Sequence, residues 1–119
     1  MSSSLALKMI GLSQKAGKVV FGGNLVVGAI RSRSKPCLVL LASDASDNTR
    51  KKIADSCSYH KVRYIETEYS GEVFAKTIGK TSDVMVIAIT DEGLAQSIIK
   101  NIYDTSSAND TNVAGGAII

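Results

Sequence analysis

The sequence predicts an α/β protein, a three-layer α/β/α sandwich around a small, mostly parallel or mixed sheet. Three observations lead there. The apolar runs at residues 37–42 and 84–89 show no polar alternation, the pattern of strands covered on both faces. Around and between them, apolar residues recur three and four apart, so helices alternate with strands. At 119 residues and 45% hydrophobic, with one proline and no internal repeat, the chain suits one domain with a sizeable core.

In order along the chain, a serine run precedes a helical stripe of Leu5, Met9 and Leu12, with Ala6 and Ile10 beside them. Ala16-Gly17-Lys18 ends that helix, glycine being the usual residue past a C-terminus. Val19-Val20-Phe21 is a short extended piece, and Gly22-Gly23-Asn24 opens a second helix with the pairs Leu25/Ala29 and Val26/Ile30. Pro36 stops anything helical before the first buried strand. A third helix starts near Ser46-Asp47-Asn48 and carries Thr49, Ile53 and Cys57 four apart. Residues 62–65 form a short strand and residues 71–78 a short helix built on Val73, Phe74 and Ile78. After the second buried strand, Thr90-Asp91-Glu92 caps a last helix that turns Leu94, Ala95, Ile98, Ile99 and Ile102 to the core. The single domain is expected over residues 1–103, and residues 104–119, small and polar until Ile118-Ile119, read as a flexible C-terminal tail.

Charge is distributed unevenly. Formal net charge is +3, yet residues 1–43 hold Lys8, Lys15, Lys18, Arg31, Arg33 and Lys35 with no acid, while residues 64–119 hold three lysines against eight acids. If folding segregates these blocks, one face is strongly positive and a polyanion is the natural partner; lysines that merely solvate a surface fit as well. No apolar run approaches the roughly 18 residues of a membrane span, and the start has no signal-peptide pattern. Cys37 and Cys57 therefore read as reduced thiols of a cytoplasmic protein, and no membrane partner is expected.

Catalytic and cofactor motifs are weak. The segment from Gly11 to Lys18 has five residues between its glycines and Val19 after the lysine, so it is not a phosphate loop, and no dinucleotide fingerprint occurs. Cys57 and His60 make half a metal site at best, since only Cys37 remains to help them. Asp44 and Asp91 follow the buried strands, where helix caps are commoner than ligands. The expectation is a protein without enzymatic activity, metal, cofactor or small-molecule substrate. Gly22-Gly23-Asn24 is different: two glycines let another backbone approach closely, and a helix N-terminus offers free N–H groups to an anion. Asn24 either caps the helix or turns its amide toward a base edge.

Three blocks, residues 18–31, 38–46 and 86–95, together resemble the kink-turn RNA-binding family of ribosomal-type proteins, typified by archaeal L-seven-Ae and eukaryotic L-thirty-e. The resemblance covers roughly residues 5–102 and extends to the family's small bacterial YlxQ-like branch. It implies a four-stranded mixed sheet and binding to a kink-turn, an internal loop with sheared G·A pairs and a sharp bend, in rRNA or another structured RNA. By resemblance, Gly23 and Asn24, next to Gly22, meet the G·A bases. Ile89, Thr90 and Asp91 pack against a flipped-out nucleotide, and Lys15, Lys18, Arg31 and Arg33 meet phosphates. Where the archetypes follow the asparagine with a guanine-reading glutamate and, three residues later, a lysine, this chain has Leu25 and Gly28. Those two departures support a second reading, a protein-interaction module of the transcription or translation machinery that kept the fold and lost specific RNA readout.

Overall fold

The computed structural model describes residues 3–104, and the two uninterrupted apolar runs supply its two central strands. The elements are α1 (Ser3–Lys15), β1 (Val19–Phe21), α2 (Gly23–Arg31), β2 (Leu38–Leu41), α3 (Asp47–His60), β3 (Tyr64–Glu66), α4 (Gly71–Thr77), β4 (Val86–Ile89) and α5 (Glu92–Asp104). The sheet has the order β1-β4-β2-β3. β4 runs antiparallel to both its neighbours, and β2 and β3 are parallel, so the sheet is four-stranded and mixed. Every residue of β2 and of β4 is buried, as a strand flanked on both edges and both faces requires.

Side-chain alternation divides the core into two layers. Leu38, Leu40, Ile87 and Ile89 point to the side covered by α1, α4 and α5, around a fully buried Phe74. Val39, Leu41, Val86 and Ala88 point to the side covered by α2 and α3, where Val26, Ile30, Ile53 and Cys57 meet them. Removing a ring such as that of Phe74 costs about 3–5 kcal/mol in proteins generally. The three-layer sandwich expected from periodicity is the fold observed.

One helix face is rotated from expectation. Ala6, Ile10 and Ser13 are the buried residues of α1, whereas Leu5 and Leu12 are 48% and 51% exposed. The Ser13 hydroxyl stays in the core because it donates to the Met9 carbonyl at 2.8 Å, leaving no unpaired polar atom. Caps follow the sequence more closely. The Ser46 hydroxyl accepts from the Thr49 N–H at the start of α3, and the Asp91 carboxylate accepts from the Leu94 N–H in the first turn of α5. Asp44 acts at a distance: its carboxylate accepts from the Gly71 N–H, 2.9 Å away, at the start of α4. The tail expected over residues 104–119 lies outside the described residues, apart from Asp104, which completes α5.

Candidate nucleic-acid interface

Residues 22–25 make an unusual helix start. Gly22 is the N-cap of α2, at φ 94° and ψ 139°, a conformation that side chains rarely adopt. Its own N–H donates to the Val86 carbonyl, which ties the helix start to the edge of β4. The first intrahelical bond runs from the Val26 N–H to the Gly22 carbonyl, so the N–H groups of Gly23, Asn24 and Leu25 point outward without helical acceptors. No side chain caps this end, and among the described residues the exposed Asn24 carboxamide has no hydrogen-bond partner. Of the two roles open to Asn24, capping is therefore the one it does not perform here.

Beside this helix start lies a cleft of about 450 Å³, lined by Phe21, Gly22, Gly23 and Thr49 and walled by residues 80–85 of the loop before β4. Lys80 places its ammonium over the Phe21 ring, 5.0 Å from its centroid, so a cation stacked on an aromatic ring lies in the same cleft as Gly22. Lys80, Thr49 and the exposed Thr81, Ser82 and Asp83 were not among the candidates from sequence. The pairing of β1 with β4 brings residues 80–83 there, α3 brings Thr49, and nothing local in the sequence signals either placement.

Other candidates lie elsewhere. Val19 pairs with Ile89 while Phe21 pairs with Ile87, and the Thr90 N–H donates to the Lys18 carbonyl. Ile89, Thr90 and Asp91 thus sit with Lys18 at the opposite end of β1 from Gly22, about 13 Å away at the usual strand rise. Ile89 is fully buried in the core. Asp91 is half-buried and occupied as the α5 cap, and only Thr90 of the three is exposed. Arg31 and Arg33 are exposed at the C-terminal end of α2. That end is also the Thr90 end, because the Cys37 N–H that follows it donates to the Ile89 carbonyl.

α2 is what joins the two groups. Asn24, Gly28 and Arg31 are exposed along one face of the helix, with Leu25 beside them at 66% exposure. A Cβ at Gly28 would meet nothing within 4 Å, so the middle of this ridge is open and flat. At one end the ridge has free N–H groups and an amide, and at the other it has two arginines. Three other cations, Lys35, Arg50 and Arg63, are already engaged. Lys35 donates to the carbonyls of Ile30 and Ser32, each at 3.0 Å, closing the end of α2. Arg50 pairs with Glu66 at 2.8 Å and Arg63 with Glu92 at 3.2 Å. Lys15 and Lys18 are exposed and make no ion pair among the described residues.

Elsewhere the titratable groups serve the fold. Burial pushes the Cys57 thiol up to about 12, and His60 meets Tyr59 edge-on with ring centroids 4.9 Å apart. Cys37 is also raised, by burial first and then by its hydrogen bond to Glu92. No group of three or more His, Cys, Asp or Glu side chains among the described residues is placed to hold a metal. No helix among them is long and apolar enough to cross a membrane.

Known proteins share both the sequence and the fold. The chain is 46% identical over 91 residues to the RNA-binding protein YlxQ of Bacillus subtilis (strain 168), covering 76% of this chain and 88% of that one. It is 38% identical to the RNA-binding protein YlxQ of Enterococcus faecium, covering 76% and 84%. A solved protein with unknown function from Bacillus halodurans C superposes with a TM-score of 0.76 at 27% identity, over 83% of this chain and 97% of that one. The Giardia lamblia 15.5kD RNA binding protein shares the fold, with a TM-score of 0.69 at 19% identity over 87% of each chain. With residues 6–99 also matching its sequence model, the chain belongs to the ribosomal protein L7Ae/L30e/S12e/Gadd45 family.

Proposed function

We propose that this protein is a non-enzymatic, cytoplasmic RNA-binding protein that holds a kinked structured RNA, with the start of α2 reading bases and the cations beside it meeting phosphates. The observation that carries this reading is the Asn24 carboxamide, exposed and unpartnered in the first turn of α2, where Gly22 holds the N-cap position and three N–H groups lack helical acceptors. Both YlxQ relatives bear the name RNA-binding protein, which supports the same assignment.

Regular A-form RNA hides its bases in a major groove too narrow for side chains, so a protein reads sequence at a distorted site. A kink-turn is such a site. Its bend opens the groove and exposes guanine edges, and its crowded phosphates draw cations. Selective binding then shifts the RNA population toward the kinked form with no bond made or broken. Gly23 leaves room for a base to approach the α2 backbone, and Asn24 offers donor and acceptor atoms to it. Lys80, Thr81 and Ser82 across the cleft suit the backbone of the same loop. Arg31, about 10 Å farther along α2, and Arg33, just past its end, suit phosphates of the flanking stem.

The test is binding to a generic kink-turn duplex and to the same duplex with its G·A pairs replaced by Watson–Crick pairs, across a salt series. A preference for the kink-turn of roughly a hundredfold, about 2.7 kcal/mol, is the expected result. Equal and steeply salt-dependent binding to both would leave a basic surface without kink-turn readout. Absence of binding to either would move the assignment to the protein-interaction module, which the exposed apolar Leu25 favours.

A further inference from the structure

A second concavity is remote from the Asn24 ridge. It is a groove of about 710 Å³ between α1 and the end of α4, on the sheet face opposite α2. Leu7, Gly11, Leu12 and Ile78 contribute to its apolar lining, and Lys8, Lys15 and Lys76 stand around it. Only Lys76 has an acidic neighbour among the described residues, Glu72, at a loose 3.6 Å. Because α1 buries Ala6, Ile10 and Ser13, Leu12 is left outward and 51% exposed on the groove wall. A Cβ at Gly11 would lie 3.4 Å from the Thr77 carbonyl, so this glycine lets α1 and α4 approach closely and keeps the floor free of a side chain.

From this we infer that the α1/α4 groove is a docking site for an acidic amphipathic segment of a partner protein, with apolar anchors on Leu12 and Ile78 and flanking carboxylates on the lysines. Charge complementarity fixes the occupant. A groove with a leucine-rich lining and three surrounding cations repels a basic peptide and rewards one whose anchors lie between Asp or Glu residues. RNA fits less well, because the lining residues include no aromatic ring for a base to stack on. The groove ends at Gly79, one residue before the loop bordering the Gly22 cleft, and lies on the other sheet face, so a docked segment leaves the ridge clear.

The experiment uses the full chain, labelled with nitrogen-15, and four probes added separately. They are a twelve-residue helical peptide with leucines at i, i+3 and i+7 flanked by glutamates, its Glu-to-Lys counterpart, a twelve-nucleotide single-stranded RNA, and a peptide of residues 105–119. The acidic peptide is expected to shift the amides of Leu7, Leu12 and Ile78 and to bind at least tenfold tighter than the basic one. Leu12→Glu should weaken it about tenfold and Lys8→Glu severalfold, with both variants keeping wild-type affinity for a kink-turn duplex. Equal binding of the acidic and basic peptides, or of none at millimolar concentration, overturns the inference. So does the RNA shifting the groove amides, or those amides moving on deletion of residues 105–119, which would make the chain's own segment the occupant.

Discussion

Gly22 and Gly23 are adjacent and chemically identical, yet replacing them with alanine should have opposite consequences. Gly22 sits at φ 94° and ψ 139°, and a methyl there has open space around it but a strained backbone beneath it. Strain of this kind costs about 1–3 kcal/mol. For a domain of this size that corresponds to a fall in Tm of roughly 4–8 °C for each kcal/mol. Gly23 is the first residue of α2, without positive φ, and a Cβ there also meets nothing within 4 Å. Alanine is the better helix former by up to about 1 kcal/mol in a helix interior and by less at the first position, so Gly23→Ala should be neutral or slightly stabilising. On the proposed reading its methyl would stand where a base approaches the free N–H groups, and affinity for a kink-turn should fall about tenfold, or 1.4 kcal/mol. Urea unfolding reports the first quantity and fluorescence anisotropy with a kink-turn duplex the second. If Gly23→Ala lost stability and kept its affinity, or Gly22→Ala unfolded like wild type, the assignment of strain to one glycine and access to the other would be refuted.

Asn24→Ala removes no cap and should leave unfolding within about 0.5 kcal/mol, while weakening kink-turn binding by about 1–3 kcal/mol in the same anisotropy titration. Arg31→Ala should weaken kinked and regular RNA alike and lower the slope of log K against log salt by about 1. Lys35→Ala should leave that slope unchanged and instead destabilise the fold by about 1 kcal/mol, since its ammonium already serves two carbonyls at the end of α2. The Cys57 thiol, raised by burial from 9.0 to about 12, keeps its proton in the native state where the unfolded chain would release it. Its contribution is intact below pH 9 and declines by up to about 1.4 kcal/mol per pH unit from there toward 12. Cys57→Ala should flatten that part of the stability–pH curve measured by urea unfolding.

The central strands were legible because uninterrupted apolar runs such as Leu38–Leu41 and Val86–Ile89 have few other ways to be buried. The caps at Ser46 and Asp91 were legible because their hydrogen bonds are local. The face of α1 was not. Stripes through Leu5 and Leu12 or through Ala6, Ile10 and Ser13 are nearly equivalent by periodicity, and hydrophobicity favours the first. Packing chose the second, since the small Ala6 and the self-satisfied hydroxyl of Ser13 fit against the neighbouring elements while two leucines stayed outside. In the candidate site, the glycines and Asn24 were visible as a helix start. Lys80 and its loop were not, because they join it through pairing of β1 with β4, strands separated by more than sixty residues. The same hidden pairing put Ile89 and Thr90 at the far end of β1.

That pairing also orders events in time. β1 has no neighbour in the sheet except β4, the last strand, and α1 packs chiefly on α5, the last helix. While the chain is being synthesised, the first thirty-three residues carry the amide and the arginines of the ridge; α2 can meet β2 and α3 early, but β1 has no strand to pair with until β4 has emerged. Long-range closure of this kind is slow, and it leaves early segments waiting. On the proposed reading, an RNA that needs both the α2 start and the Lys80 loop would find its site only after β4 has joined β1. Bound there, such an RNA would hold shut the junction between the first strand and the last, and the stability added would grow with the logarithm of its concentration over Kd.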